Sequence, residues 1–187
     1  MNLLNAFGLL NMINEDLDDY QEEYKNYVIG HKERVQQFAD WLVENLPELF
    51  DDCDVDMFYD IIKEHDESKF SEEEFEPYAK KFYGPQDVNG KPLTYVPGYD
   101  DAWLHHWMHN EHHPEFWLGE DMPLVYILEM LCDWGSFSID KGDLRELSKY
   151  YYDNARDDEE KNLSDATKEI IEDILTKINS VLDREEK

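Results

Sequence analysis

Five of the seven histidines in the sequence fall within nine consecutive positions, inside the stretch DDAWLHHWMHNEHHPEFW of residues 100–117; the other two are His31 and His65. Imidazole is both a proton carrier near neutral pH and a common ligand of first-row divalent ions, so metal chemistry is the first reading of such a cluster. His65 is followed at once by Asp66 in KEHDESKF, and a second carboxylate, Asp133, interrupts the apolar stretch MPLVYILEMLCDWGSF. A carboxylate among apolar residues is costly to bury unless it is paired or binds a cation. Glu129, one turn before Asp133, raises the same difficulty. His31 likewise intrudes on an apolar-striped segment, directly after Gly30, where the missing side chain allows close approach to the backbone.

Positioning these groups falls to helices. In YVIGHKERVQQFADWLVENLPELF the residues Val28, Val35, Phe38, Trp41, Leu42 and Leu46 recur at helical spacing, and Pro47 marks the stop. Met57, Phe58, Ile61 and Ile62 predict a second helix that ends near His65 and Asp66. Ser71, with Glu74 three residues on, has the form of a capping box for a short helix, SEEEFEPYAKKFYG. Residues 84–98, GPQDVNGKPLTYVPG, have no periodicity and read as a loop of the kind that closes over ligands, carrying Tyr95 with Tyr99 just beyond it. A helix from about Asp100 to Asn110 puts His105 and His109 on one face, about 6 Å apart, with His106 turned roughly 100° away. His112 and His113 follow in a turn, where Pro114 keeps the preceding residue out of helical geometry. A central helix around Leu124, Ile127, Leu128, Met130, Leu131 and Trp134, then two amphipathic segments, GDLRELSKYYYDNA and SDATKEIIEDILTKINSVL, complete the chain. No alternating pattern competes. The expected fold is all-α, a single-domain bundle of six or seven helices over residues 1–187, with a core at about 25–140 and C-terminal helices over 143–184 packing on it.

Composition narrows the partners. Seventeen basic residues against 46 acidic ones give a formal charge of −29. Such a surface repels a phosphate backbone, so stable binding to a nucleic-acid polymer is not expected. Solvated helix faces account for most of the acidity, and bound divalent cations would offset some of it locally. The absence of a long apolar run and of a basic leader points to a cytoplasmic protein without a membrane partner. Cys53 and Cys132 lack CxxC spacing and fit reduced thiols.

The order His31, then His65-Asp66, then Asp133 resembles the HD-domain superfamily of metal-dependent phosphohydrolases, and HDESKF followed by AWLHHWMHNEHHPEFW and EMLCDW is similar to a small family of HD-like proteins from bacteria and their phages. There a histidine, a His-Asp doublet and a final aspartate come from separate helices and hold a divalent ion. The resemblance covers about residues 25–140. It implies that His31, His65, Asp66 and Asp133 bind one or two ions of Mn, Fe, Co, Zn or Mg. HDESK is similar to the HDxGK form of the doublet, which implies that Asp66 and Lys69 are catalytic, with Lys69 contacting substrate oxygen. In members with further metals additional histidines lie between the doublet and the last aspartate; His105, His109, His112 and His113 are the candidates here for a second metal or a phosphate contact. The implied activity is hydrolysis of a small phosphoester, of nucleotide type, by a metal-activated water. Two alternatives accompany it: a di-iron oxygenase on the same fold, and an acidic binding or decoy protein whose metal is structural.

Overall fold

The computed structural model describes residues 18–86 and 95–185. These form seven α-helices joined by short 3₁₀ and π turns, and no β-strand occurs among them, so the protein is all-α. The helices are α1 (Asp19–Asn45), α2 (Val55–Glu64), α3 (Phe75–Phe82), α4 (Tyr99–His109), α5 (Leu124–Lys141), α6 (Glu146–Tyr150) and α7 (Asp165–Glu185). None of them is long and apolar enough to cross a membrane. The apolar run LLNAFGLLNMI near the start and residues 87–94 of the long loop lie outside the described residues.

The chain divides into two compact units that alternate along the sequence. One contains the described parts of residues 1–30 and 66–110; the other contains 31–65 and 111–185. The first is built on Tyr24, Val28, Phe70, Phe75, Tyr78, Ala79 and Ala102, an aromatic-rich core in which Tyr24 stacks on Tyr78 with ring centroids 6.2 Å apart. The second has the larger core. Val35, Phe38, Ala39 and Leu42 from α1, with Leu46 just beyond it, meet Phe58 and Ile62 of α2, Ile127, Leu128, Met130 and Leu131 of α5, and Ile171, Ile174 and Ile178 of α7. Burying a side chain of this size contributes about 1.5–3 kcal/mol, enough in sum to hold polar intrusions in place.

Several local signals explain where the elements stop. Asp54 opens α2 by accepting the Met57 N–H at 3.0 Å, and the helix ends at His65, whose backbone turns away (φ −47°, ψ 128°). Asp66 then adopts the left-handed conformation (φ 57°), which aspartate tolerates better than most residues. Met57 is about half exposed, because Phe58 and Ile62, four apart, are the residues turned inward. Asn110 closes α4 by donating from its side chain to the His106 carbonyl at 2.6 Å. Gly142 (φ 70°) ends α5 with its N–H on the Ile139 carbonyl, while Asp143 N–H reaches Ser138.

Two expected helical features take another form. Glu74 does not complete a capping box: α3 starts at Phe75, the buried Ser71 hydroxyl makes no hydrogen bond, and the Glu74 side chain is drawn to histidines of α4. The segment after Gly142 is α-helical only through Tyr150 and continues as a π turn over Tyr151–Ala155, closed by the Arg156 N–H on the Tyr151 carbonyl.

One close approach governs the second unit. A Cβ added at Gly135 would lie 2.7 Å from ring atoms of the fully buried Phe38, so glycine is what lets α5 pack this tightly on α1. Gly→Ala in a helix ordinarily stabilises by about 0.5–1 kcal/mol. Here Gly135→Ala is expected to destabilise by about 1–3 kcal/mol, the usual cost of overpacking a core that cannot yield. Urea unfolding of the two proteins measures the difference, and its sign checks the packing.

Candidate metal centre

The tight α1–α5 contact brings two of the polar intrusions face to face. In the second unit His31 Nε2 on α1 lies 3.1 Å from Asp133 Oδ1 on α5 and 3.4 Å from Nε2 of His65, at the end of α2. His65 Nε2 is 3.8 Å from the same Asp133 oxygen. Bonds of about 2.1 Å to one ion place neighbouring ligand atoms about 3.0 Å apart in an octahedral arrangement and about 3.4 Å apart in a tetrahedral one. Two of the three separations, 3.1 and 3.4 Å, match those spacings, and the third, His65 Nε2 to Asp133 Oδ1 at 3.8 Å, is longer than either. Both imidazoles are almost fully buried, and the carboxylate is partly so. Burial opposes ionisation of Asp133, but the His31 hydrogen bond and the imidazoles of His31, His65 and His112 outweigh it and hold the carboxyl well below the usual range.

The surroundings orient each ring. Ser136, three residues after Asp133, places its hydroxyl 3.2 Å from His31 Nδ1, and Phe137 packs on the same ring with centroids 5.6 Å apart. Glu129 is buried one turn before Asp133. Its Oε1 lies 2.9 Å from His65 Nδ1 and 3.1 Å from His112 Nδ1, and the two rings lie 4.3 Å apart. His113, extended before Pro114 (φ −79°, ψ 123°), has Nδ1 3.7 Å from Glu115 Oε2. Burial of Glu115 works against its charge, and the adjacent His113 imidazole lowers its pKa despite that. The second unit therefore holds two groups able to bind a metal ion, His31–His65–Asp133 and His65–His112–Glu129, with His65 common to both.

The first unit has its own buried polar cluster. Glu74 spans two adjacent rings of α4, Oε1 to His105 Nδ1 at 2.7 Å and Oε2 to His106 Nδ1 at 2.8 Å. Burial opposes the Glu74 charge, yet hydrogen bonds from His106 and His105 keep its carboxyl below the ordinary range. His106 Nε2 is 3.4 Å from Asp66 Oδ1, and the other Asp66 oxygen takes the Lys69 ammonium at 2.5 Å. The hydroxyls of Tyr24 and Tyr78 are buried without a hydrogen-bond partner, and burial, with the charges of Asp66 and Glu74, pushes both phenols far above their usual pKa.

The residues singled out by sequence thus fall in both units. His31, His65 and Asp133 converge in the second, where His112 and His113 also lie. Asp66 and Lys69 pair in the first. His105 and His109 share one helical face and stack at 4.0 Å, but His109 is exposed and its Nδ1 donates to the His105 carbonyl at 2.7 Å. His106, turned away from that face, is the buried member of α4. Helical spacing finds which residues share a face and leaves open which face is inward. Glu74 has the look of a cap in the sequence, and nothing marks Ser136.

A family model matches residues 20–177, a span that includes every one of these side chains. The chain belongs to a family of unknown function, DUF5662. No curated protein and no solved structure matches it.

Two outcomes check the geometry. A divalent ion bound by the His31–His65–Asp133 group stabilises the folded chain by about 2.7 kcal/mol at a hundredfold excess over Kd, a rise in Tm of roughly 5–10 °C. Asp133→Asn is expected to remove that rise in a thermal melt with and without Mn or Zn. In the first unit Glu74→Ala strips two buried or half-buried imidazoles of their acceptor and is expected to cost about 1–3 kcal/mol or more. His109→Ala should stay within about 0.5 kcal/mol, and denaturant titrations of both variants provide the comparison.

Proposed function

We propose that the protein is a metal-dependent phosphohydrolase acting on a small phosphoester of nucleotide type. The observation that carries the reading is the convergence of His31 Nε2, His65 Nε2 and Asp133 Oδ1, two buried imidazoles and a partly buried carboxylate from three helical segments, within 3.1–3.8 Å of one another. Imidazole and carboxylate together suit Mn, Fe, Co or Zn, and a third ligand class, water, suits Mg as well. When bound, such an ion lowers the pKa of a water towards neutrality and polarises a phosphoryl oxygen. The HD-like order of residues, His31, His65-Asp66 and Asp133, supports the same assignment.

The chain's own residues supply the rest. Asp133, held ionised, faces Nε2 of both imidazoles, 3.1 Å from His31 and 3.8 Å from His65, and would supply the anionic ligand beside them. Lys69 carries a positive charge into a half-buried position, where it can offset charge on phosphoryl oxygens far better than in water. Tyr24 and Tyr78, phenols that remain protonated, are donors by character and accept no proton from a substrate. With a formal charge of −29, an anionic substrate needs local neutralisation on approach, which a resident cation and Lys69 provide. A small nucleotide fits that condition, and a long polyanion does not.

An iron-dependent oxygenase is the second reading. It is favoured by one observation, the number of buried imidazoles beyond the triad: His106 and His112 are each gripped by a glutamate.

One experiment separates the two. Purified protein is incubated with nucleotides and simple phosphomonoesters and diesters in Mn, Co, Fe, Zn or Mg, following phosphate or nucleoside release. The hydrolase reading expects release that needs metal and falls at least about a hundredfold in His65→Ala, the loss typical of removing a group central to charge stabilisation. No release with any ion, from a coloured iron-containing protein that consumes oxygen, would establish the oxygenase instead.

A further inference from the structure

Glu129 sits in the most apolar of the described helices, only 4% exposed, among Leu128, Met130, Leu131 and Cys132, all fully buried. A carboxylate there requires donors. His65 Nδ1 lies at 2.9 Å and His112 Nδ1 at 3.1 Å, both on the single oxygen Oε1. A carboxylate has no hydrogen to give, so each ring must carry its proton on Nδ1. A neutral imidazole protonated at Nδ1 has its lone pair on Nε2, at the opposite edge of the ring. His65 Nε2 is the atom that approaches His31 Nε2 and Asp133 Oδ1.

We propose that Glu129 is a positioning residue that fixes the tautomers of His65 and His112 together, so that both rings offer Nε2 to metal, and that it is not itself a ligand. The proposal rests on the metal reading above. The competing arrangement, an ion held directly by Glu129, His65 Nδ1 and His112 Nδ1, has compatible spacings. It would require His65 to ligate through both nitrogens if the His31–Asp133 group is also filled, which means losing the proton that a neutral imidazole retains at physiological pH. The N–H to carboxylate distances are instead those of ordinary charge-assisted hydrogen bonds. The same device occurs in the first unit, where Glu74 takes Nδ1 of His105 and of His106 on its two oxygens at 2.7 and 2.8 Å. Outer carboxylates of this kind raise the basicity of the ligating nitrogen and hold the ring in the plane the metal needs.

The test compares wild type, Glu129→Gln and Glu129→Ala by titration with Co(II), reading affinity, ions bound per chain and the visible spectrum, with circular dichroism as the check on folding. Glutamine keeps an acceptor oxygen at the same place, whereas it is a poor metal ligand. The expected result is a graded loss with unchanged stoichiometry: alanine weakens Co(II) binding about 10–100-fold, and glutamine restores most of it. Equal losses in both variants, together with one ion fewer per chain, would make Glu129 a ligand and overturn the proposal. Affinities and spectra identical to wild type in both variants would overturn it too. A wild-type protein that binds no Co(II) at all removes the metal reading itself, a failure distinct from either. Where Glu129→Ala does not fold, long-range proton–nitrogen spectra of the metal-free wild type read the tautomers directly. Nδ1–H on His65 and His112 is expected, and Nε2–H on either ring contradicts the assignment.

Discussion

Two carboxylates one turn apart on the most apolar of the described helices, Glu129 and Asp133, set the terms for everything near them. Removing a charge from water costs several kcal/mol unless partners replace the lost hydration. On α5 imidazoles lie against both carboxylates, His31 and His65 at Asp133, His65 and His112 at Glu129. His65 is shared, one ring nitrogen toward each acid. The apolar cores make this arrangement affordable only because α1 and α5 approach closely at Gly135 and Phe38, which holds His31 opposite Asp133. Helix packing and the polar centre in the second unit are therefore one problem with one solution.

Much of this was legible in the sequence, and the exceptions share a cause. Apolar periodicity locates the helices, because an amphipathic stripe is a local property of the chain. The polar intrusions His31, His65 and Asp133 stand out because each breaks such a stripe. What local patterns do not carry is which partner a polar side chain meets across a tertiary contact. Glu74 three residues after Ser71 reads as a cap, yet two imidazoles of α4 compete for its carboxylate and win. His106 reads as turned away because periodicity gives relative, not absolute, facing; its burial is settled by Glu74 and Tyr78, both distant in sequence. Ser136 had no signal at all, since a serine in a helix is ordinary until a histidine lies against its hydroxyl.

The function proposed for this member of DUF5662 follows from the same economy. A chain with so large a negative charge can accept a phosphorylated substrate only where that charge is locally reversed, and buried imidazole–carboxylate groups are suited to holding the cation that reverses it. The histidine cluster of residues 105–113 then divides by environment. His106 and His112 are buried and oriented by glutamates, His105 is half-buried on the same Glu74, and His109 is a surface residue. A dense run of one residue type is thus several roles set by burial, and only the buried members are placed to take part in metal chemistry.

The central claim is that His31, His65 and Asp133 hold one divalent ion. The most direct measurement is anomalous diffraction from crystals grown with Mn or Fe, collected at the metal edge. The account predicts an anomalous peak about 2.0–2.3 Å from His31 Nε2, His65 Nε2 and an oxygen of Asp133. Crystals that contain the metal but show no peak at these three atoms would contradict it.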